Sequence, residues 1–268
     1  MSAAGPATSA AILLGILQGL TEFLPVSSSG HLGAVQLLFS DTAYPGVTLE
    51  LATHLGTTVA VLVYYRELLS GMLRHRPGPA LLGIERSQWW LLLLVGTLPT
   101  AIIGVLSRDA VLAAFGSLNA IAAGLALSGV FLMASRLQPQ ADRPIDWKTA
   151  LLIGVVQGIA IFPGVSRSGL TISAALMAKV HPAQAVTFSL LLSVPAILGA
   201  SVLDAVQLSL SPAPAALLFS HVLFATLAAG LVGYFCIGFV HRATHIGWWY
   251  RFAWYCWLGA LVLLAAAR

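Results

Sequence analysis

Apolar positions along this chain run in continuous blocks, and the blocks come in two lengths. Six are long enough to cross a bilayer, at roughly 48–66, 88–106, 114–136, 184–206, 215–240 and 249–267. Four others, at roughly 10–24, 28–40, 149–162 and 167–180, fall short of the ~20 residues a spanning helix needs. The short blocks form two pairs, each interrupted by turn chemistry. The first interruption is Pro25-Val26-Ser27-Ser28-Ser29-Gly30, and the second is Phe162-Pro163-Gly164-Val165-Ser166-Arg167-Ser168-Gly169. The pattern predicts re-entrant helix pairs that enter to mid-membrane, turn at a polar tip and leave on the side they came from. Such a tip is stable only where protein or water satisfies its backbone.

The two pairs are copies of each other. At an offset of 139, residues 15–32 (GILQGLTEFLPVSSSGHL) lie over residues 154–171 (GVVQGIAIFPGVSRSGLT) without a gap, with eight identities in eighteen positions. At the same offset Leu49, Glu50 and His54 face Phe188, Ser189 and Ser193. The differences are chemical: Glu22 faces Ile161, Ser28 faces Arg167, and His31 faces Leu170. One copy carries an acid and an imidazole and the other a guanidinium, as expected of two halves that close on one site. Three crossings separate the pairs, and three is odd, so the pairs enter from opposite faces. The predicted fold is an all-α polytopic membrane protein with six full transmembrane helices plus two re-entrant helix pairs in an inverted repeat. It forms a single membrane domain over residues 1–268, with repeat one at about 8–136 and repeat two at about 148–267.

Composition agrees. Hydrophobic residues make up 59% of the chain and charged residues 8%, against roughly 25% charged in soluble domains; the mean hydropathy is +0.92. A β-barrel would need alternating polar and apolar residues. The basic balance suggests nucleic acid at first, but no basic or aromatic reading surface is present, so no nucleic-acid partner is expected. The basic residues are topology signals instead. Arg66, Arg74, Arg76, Arg86, Arg136, Arg143, Lys148, Lys179, Arg242 and Arg251 gather on one side, Arg108 and Arg268 on the other. The first group marks the cytoplasm, so the first pair enters from the outer face and both termini lie outside. Segment 67–88 reads as a cytoplasmic loop with an interfacial helix, and 137–148 as the basic linker between repeats. Cys236 and Cys256 are expected to be packing residues. His221, His241 and His245, at span ends, are given no chemistry. Trp89, Trp90, Trp248, Trp249, Trp254 and Trp257 read as interface anchors. No cleaved signal peptide is recognised.

Glu22 and Arg167 are ionisable groups in apolar segments, on the order of 3 kcal/mol each to insert, and such residues are normally kept for function. A structural ion pair between the tips is the plain alternative. Ser27, Ser29 and Ser168 read equally as helix caps or as functional hydroxyls. Together the tips suit an oxyanion: Gly164-Val165-Ser166-Arg167-Ser168-Gly169 before a helix offers N–H groups, hydroxyls and a planar guanidinium fork for phosphate. Gln18 and Glu22 are four apart on one helical face, and their oxygens suit a hard cation, Mg²⁺ or Ca²⁺. His31 can act as acid or base, and Ser28 as a nucleophile. Glu50 and His54 read equally as supporting partners or as a helix-end pair.

The stretches QGLTEFLPVSSSGH and PGVSRSGLTIS resemble those of the undecaprenyl-pyrophosphate phosphatases, the bacitracin-resistance proteins, and the resemblance covers essentially the whole chain. It implies hydrolysis of undecaprenyl pyrophosphate to the monophosphate and phosphate, recycling the peptidoglycan lipid carrier in the bacterial inner membrane. It implies a site facing the periplasm, dependence on a divalent cation, and a homodimer. By motif position Glu22 matches the second acid of the family's acidic pair, Ser28 the nucleophilic or phosphate-contacting serine, and His31 the essential histidine. Ser166, Arg167 and Thr171 match the phosphate-binding motif. Gln18 stands where many members carry Glu, which removes one charge from the cation site, and His54 stands where others often carry Gln. The rival from another class is a polyprenyl-phosphate transporter that moves the lipid without hydrolysis. The histidine-nucleophile acid phosphatases fit poorly, because the first His after Arg167 is His181, fourteen residues on.

Overall fold

The computed structural model describes residues 8–38, 46–73, 84–136, 142–210 and 219–268. Over them the chain is helical, with no strand among the described residues. In order the helices are α1 (Thr8–Phe23), α2 (Ser28–Leu38), α3 (Gly46–Tyr64), α4 (Arg66–Leu73), α5 (Arg86–Leu106) and α6 (Arg108–Phe115). There follow α7 (Leu118–Ser135), α8 (Trp147–Ile159), α9 (Arg167–Met177), α10 (Pro182–Leu210), α11 (Phe219–His245) and, after a 3-10 turn at Trp249–Arg251, α12 (Phe252–Ala266). Residues 74–83 of the expected 67–88 loop, Arg74 and Arg76 among them, and the start of the 137–148 linker lie outside the described residues.

Four short helices, α1, α2, α8 and α9, stand where the four short apolar blocks lie. α1 has 16 residues, about 24 Å at 1.5 Å per residue, short of a hydrocarbon core of ~30 Å. Pro25 prevents its continuation, and Val26 N–H donates to the Leu24 carbonyl (2.8 Å) as the chain turns. α8 has 13 residues and ends before Pro163. α2 and α9 begin 139 residues apart, at Ser28 and Arg167.

Among the described residues five helices are long and apolar enough to cross a membrane: Gln88–Leu106, Leu118–Ser135, Pro182–Leu203, Phe219–His245 and Trp249–Ala266. The expected span at 48–66 corresponds to α3, which has 19 residues. Its Thr53, Thr57 and Thr58 hydroxyls are returned to carbonyls of their own helix at 2.9 Å. The span expected at 114–136 begins later, at Leu118, because α6 stops at Phe115 and Ser117 caps α7 by accepting from Ala120 N–H (3.3 Å).

With apolar lipid outside, helices associate through close packing rather than burial of greasy surface. α1 lies most extensively on α11, and α8 on α5. Both seams are built of small residues. A Cβ on Gly15 would come within 2.3 Å of the Ala225 carbonyl oxygen, and one on Gly154 within 2.1 Å of the Gly96 oxygen. Outward-facing Leu13, Leu106, Val202, Leu231, Phe235 and Leu261 are exposed, as befits a surface meeting acyl chains rather than water. Polar residues turn inward instead: Gln18, Glu22, Ser27, Gln157, Ser166, Ser168, Thr171 and Ser189 are all buried.

Candidate active site

The two polar tips touch. A Cβ on Gly30 would stand 3.0 Å from Gly164 Cα, and one on Gly169 would stand 3.2 Å from Pro25 Cβ. Gly164 has φ +82° and lies against the Ile121 carbonyl; only glycine meets both conditions without strain. The hydroxyl of Ser168 donates to the Leu24 carbonyl (3.3 Å), tying the second tip to the first.

The capping serines behave alike in both copies. Ser27 Oγ accepts from Gly30 N–H at 3.1 Å, and Ser166 Oγ accepts from Gly169 N–H at 3.1 Å. Ser27 Oγ is 3.3 Å from Ser29 Oγ, and Ser166 Oγ is 3.4 Å from Ser168 Oγ. The backbones differ. Ser27 has φ 66°, in the left-handed region that a non-glycine residue seldom adopts, whereas Ser166 has φ −80°.

Glu22 is the hub of the joined tips and is only 7% exposed. Its Oε1 accepts from the Arg167 guanidinium. Its Oε2 accepts from Gln18 Nε2 (2.9 Å) and from the Ser28 hydroxyl (2.8 Å). His54 Nε2 stands 3.7 Å from the same oxygen. The predicted residues Gln18, Glu22, Ser28 and Arg167 are thus brought together, and His54 joins them. A buried carboxylate so surrounded is stable as the anion only because these donors replace water.

His31 is held differently. Its Nδ1 is 2.7 Å from the Ser27 carbonyl oxygen. A carbonyl can only accept, so Nδ1 carries a proton, and in the neutral ring Nε2 then has the lone pair. Nε2 is 2.7 Å from the Tyr255 hydroxyl, which donates to it in that form. The Ser28 hydroxyl is therefore paired with Glu22 and not with His31. Thr171, expected at the phosphate, gives its hydroxyl to the Arg167 carbonyl (2.7 Å) and pairs with the Ser189 hydroxyl. Ser166 N–H donates to Ser128 Oγ (2.8 Å), so α7 buttresses the second tip. Sequence reasoning missed Tyr255 and Ser128. Tyr255 was hidden among anchor-like aromatics, and Ser128 lies in an otherwise apolar span.

The donor set accommodates a hard cation. Gln18 Oε1 is buried and has no hydrogen-bond partner among the described residues. It adjoins a carboxylate and a hydroxyl, all oxygen donors of the kind Mg²⁺ and Ca²⁺ take.

The family model described as "Bacitracin resistance protein BacA" matches residues 11–262. The chain belongs to this family. Curated relatives of the BacA-family chain include an undecaprenyl-diphosphatase of Desulforapulum autotrophicum, 37% identical over 270 residues, 95% of this chain and 96% of the relative. Another, from Halothermothrix orenii, is 34% identical over 259 residues and 96% of each. A third, from Korarchaeum cryptofilum, is 36% identical over 264 residues, 95% of this chain and 97% of the relative. The match of this BacA-family chain spans both tips and both seams.

Proposed function

We infer that this chain is an undecaprenyl-diphosphatase, a hydrolase that cleaves undecaprenyl pyrophosphate in the membrane to undecaprenyl phosphate and phosphate. The observation that carries the reading is Glu22, which gathers Arg167 from one tip and Gln18 and Ser28 from the other around a single carboxylate. The relatives' names support the same chemistry, and they lend none to the transporter alternative.

The geometry suggests this division of labour. Arg167 exchanges Glu22 for the terminal phosphate and holds two of its oxygens with the guanidinium fork. Ser27, Ser166, Ser168 and Thr171 position the loops that surround that phosphate. Ser28 Oγ attacks the terminal phosphorus, and its proton passes to Glu22 Oε2, its present acceptor. The Oγ–P bond forms as the bridging P–O bond breaks, and undecaprenyl phosphate leaves. Ser28 and His31 lie three apart on one face of α2. His31 Nε2 takes a proton from the water that then attacks the phosphoserine, releasing phosphate and restoring Ser28. Gln18 and Glu22 would hold a divalent cation, whose positive charge would offset that of the pyrophosphate.

On this reading the molecule is an inverted repeat of two re-entrant pairs and six spans in the bacterial inner membrane. The offset of 139 between the α2 and α9 starts supports it. So does the clustering of basic residues: Arg136 stacks on Tyr250 (4.9 Å) and Arg251 on Trp248 (4.8 Å), at the end assigned to the cytoplasm. The site then opens to the periplasm; a homodimer is what the family resemblance implies.

The test is phosphate release from undecaprenyl pyrophosphate by purified protein in detergent, with Mg²⁺, Ca²⁺ or chelator. Metal-dependent release that Glu22→Ala and His31→Ala both abolish is expected. No release from folded, lipid-supplied protein defeats the assignment, and leaflet exchange in vesicles would then be measured.

A further inference from the structure

We propose that Tyr255 is a positioning residue for the reaction, holding His31 as a base with its lone pair turned out of α2; this rests on the phosphatase reading above. The contact joins residues 224 apart in the chain, from α2 to α12. Two features make it more than a passing hydrogen bond. The rings stack, with centroids 5.8 Å apart and planes inclined by 17°, so the orientation of the imidazole is set as well as its proton. On the opposite edge, Nδ1–H is anchored on the Ser27 carbonyl (2.7 Å), which the left-handed Ser27 backbone (φ 66°) supplies. The strained φ thus coincides with a use: Ser27 O also accepts from the His31 N–H (3.2 Å).

The imidazole is therefore gripped at both nitrogens, by an acceptor on one side and a donor on the other. A neutral imidazole has one N–H and one lone pair, and these two partners permit only the tautomer with the proton on Nδ1. That is the form able to take a proton at Nε2. Without the Tyr255 hydroxyl, the Ser27 carbonyl is the one hydrogen-bond partner left to the ring among the described residues.

The second tip supplies the contrast. The counterpart of His31 is Leu170, fully buried. Tyr255 is 49% exposed, so the His31 side of the first tip is open where the corresponding place in the second is closed. During turnover the attacking water takes the place of the hydroxyl at Nε2, and the stacked ring keeps the lone pair aimed at it. Cys256, the next residue, donates from its thiol to the Pro25 carbonyl (3.1 Å), fixing α12 against the same tip.

The test compares Tyr255→Phe, which keeps the ring and removes only the hydroxyl, with Tyr255→Leu, which removes both. Two quantities are read: the steady-state constants on undecaprenyl pyrophosphate, and the ¹⁵N resonances of His31, assigned by difference against His31→Gln. Tyr255→Phe is expected to lower kcat about tenfold with KM unchanged, part of the roughly hundredfold or more that a general base supplies. The Nε2 resonance should lose its hydrogen-bonded position, and Tyr255→Leu should lower kcat further. An unmoved Nε2 resonance, an unchanged or raised kcat in Tyr255→Phe, or a change confined to KM overturns the role. Wild-type protein that releases no phosphate overturns the function and this role together, whereas an active wild type with an equally active Tyr255→Phe overturns the role alone.

Discussion

Arg167, in the first turn of α9, donates to Glu22 at the end of α1, joining residues 145 apart in the chain. The bond marks where an anionic substrate must compete, because phosphate and carboxylate seek the same planar donor. Arg167→Lys keeps the charge and loses the fork. Its turnover is expected to fall about a hundredfold or more, with the fold retained as judged by circular dichroism and thermal melting. Near-wild-type phosphate release from that variant would remove Arg167 from the phosphate site.

Gln18 presents an unpartnered oxygen beside Glu22. Gln18→Glu adds a negative charge at that oxygen and forfeits the Gln18 Nε2 hydrogen bond to Glu22 Oε2. Two adjacent carboxylates should bind a divalent cation more tightly. Calorimetric titration of Ca²⁺ into the variant is expected to give an affinity roughly tenfold or more above wild type, by about 1.4 kcal/mol. An unchanged isotherm would place the cation elsewhere.

Asp146 caps α8 through Oδ1, which accepts from Thr149 N–H (2.8 Å) and from the Thr149 hydroxyl (2.7 Å). The Thr149 side-chain and backbone hydrogen bonds hold its carboxyl below the ordinary value, and Arg143 and Lys148 add to the shift. A lowered carboxyl stabilises the fold above its unfolded pKa, near 3.8, and that contribution fades as the pH falls through the lower folded value. Asp146→Ala should cost about 1 kcal/mol at neutral pH. The gap between mutant and wild-type melting temperatures should narrow on acidification below pH 4.

Two glycines separate helix propensity from helix contact. An added methyl at Gly199 meets nothing within 4 Å, whereas at Gly154 it strikes the Gly96 carbonyl at 2.1 Å. Gly199→Ala should leave the melting temperature unchanged or raise it, since alanine favours helix. Gly154→Ala should lower stability by about 1–3 kcal/mol through forced separation of α5 and α8. Equal melting temperatures would mean that the seam yields freely.

Much of this was legible in the sequence, because the physics is local and repeated. Pro25 and Pro163 stand at the turns after α1 and α8, and Ser27 and Ser166 start the next helices three residues before a glycine. Glu22 and Arg167 stand out because charge in an apolar run is costly. The meeting of Glu22 with Arg167 also followed from the repeat. What could not be read was the partner of each group. Nothing in the sequence says which group holds the Ser28 hydroxyl; it pairs with Glu22 because α1 and α2 close on each other. Tyr255 carries no local signal, since an aromatic in a spanning helix has the composition of an anchor.

The α1–α11 seam bears on the order of assembly. α1 is made early, and its glycine face finds its mate only in residues 219–245. α2 likewise receives the tyrosine that grips its histidine from α12. Between those moments of synthesis most of the chain must enter the bilayer, while two helices too short to span it wait uncovered. A chain released before α11 would therefore lack more than stability: its charged tip would have no wall. Maturation of the site is a late event, and a ribosome stalled between α10 and α11 should hold a nascent chain whose first helix pair is open to protease.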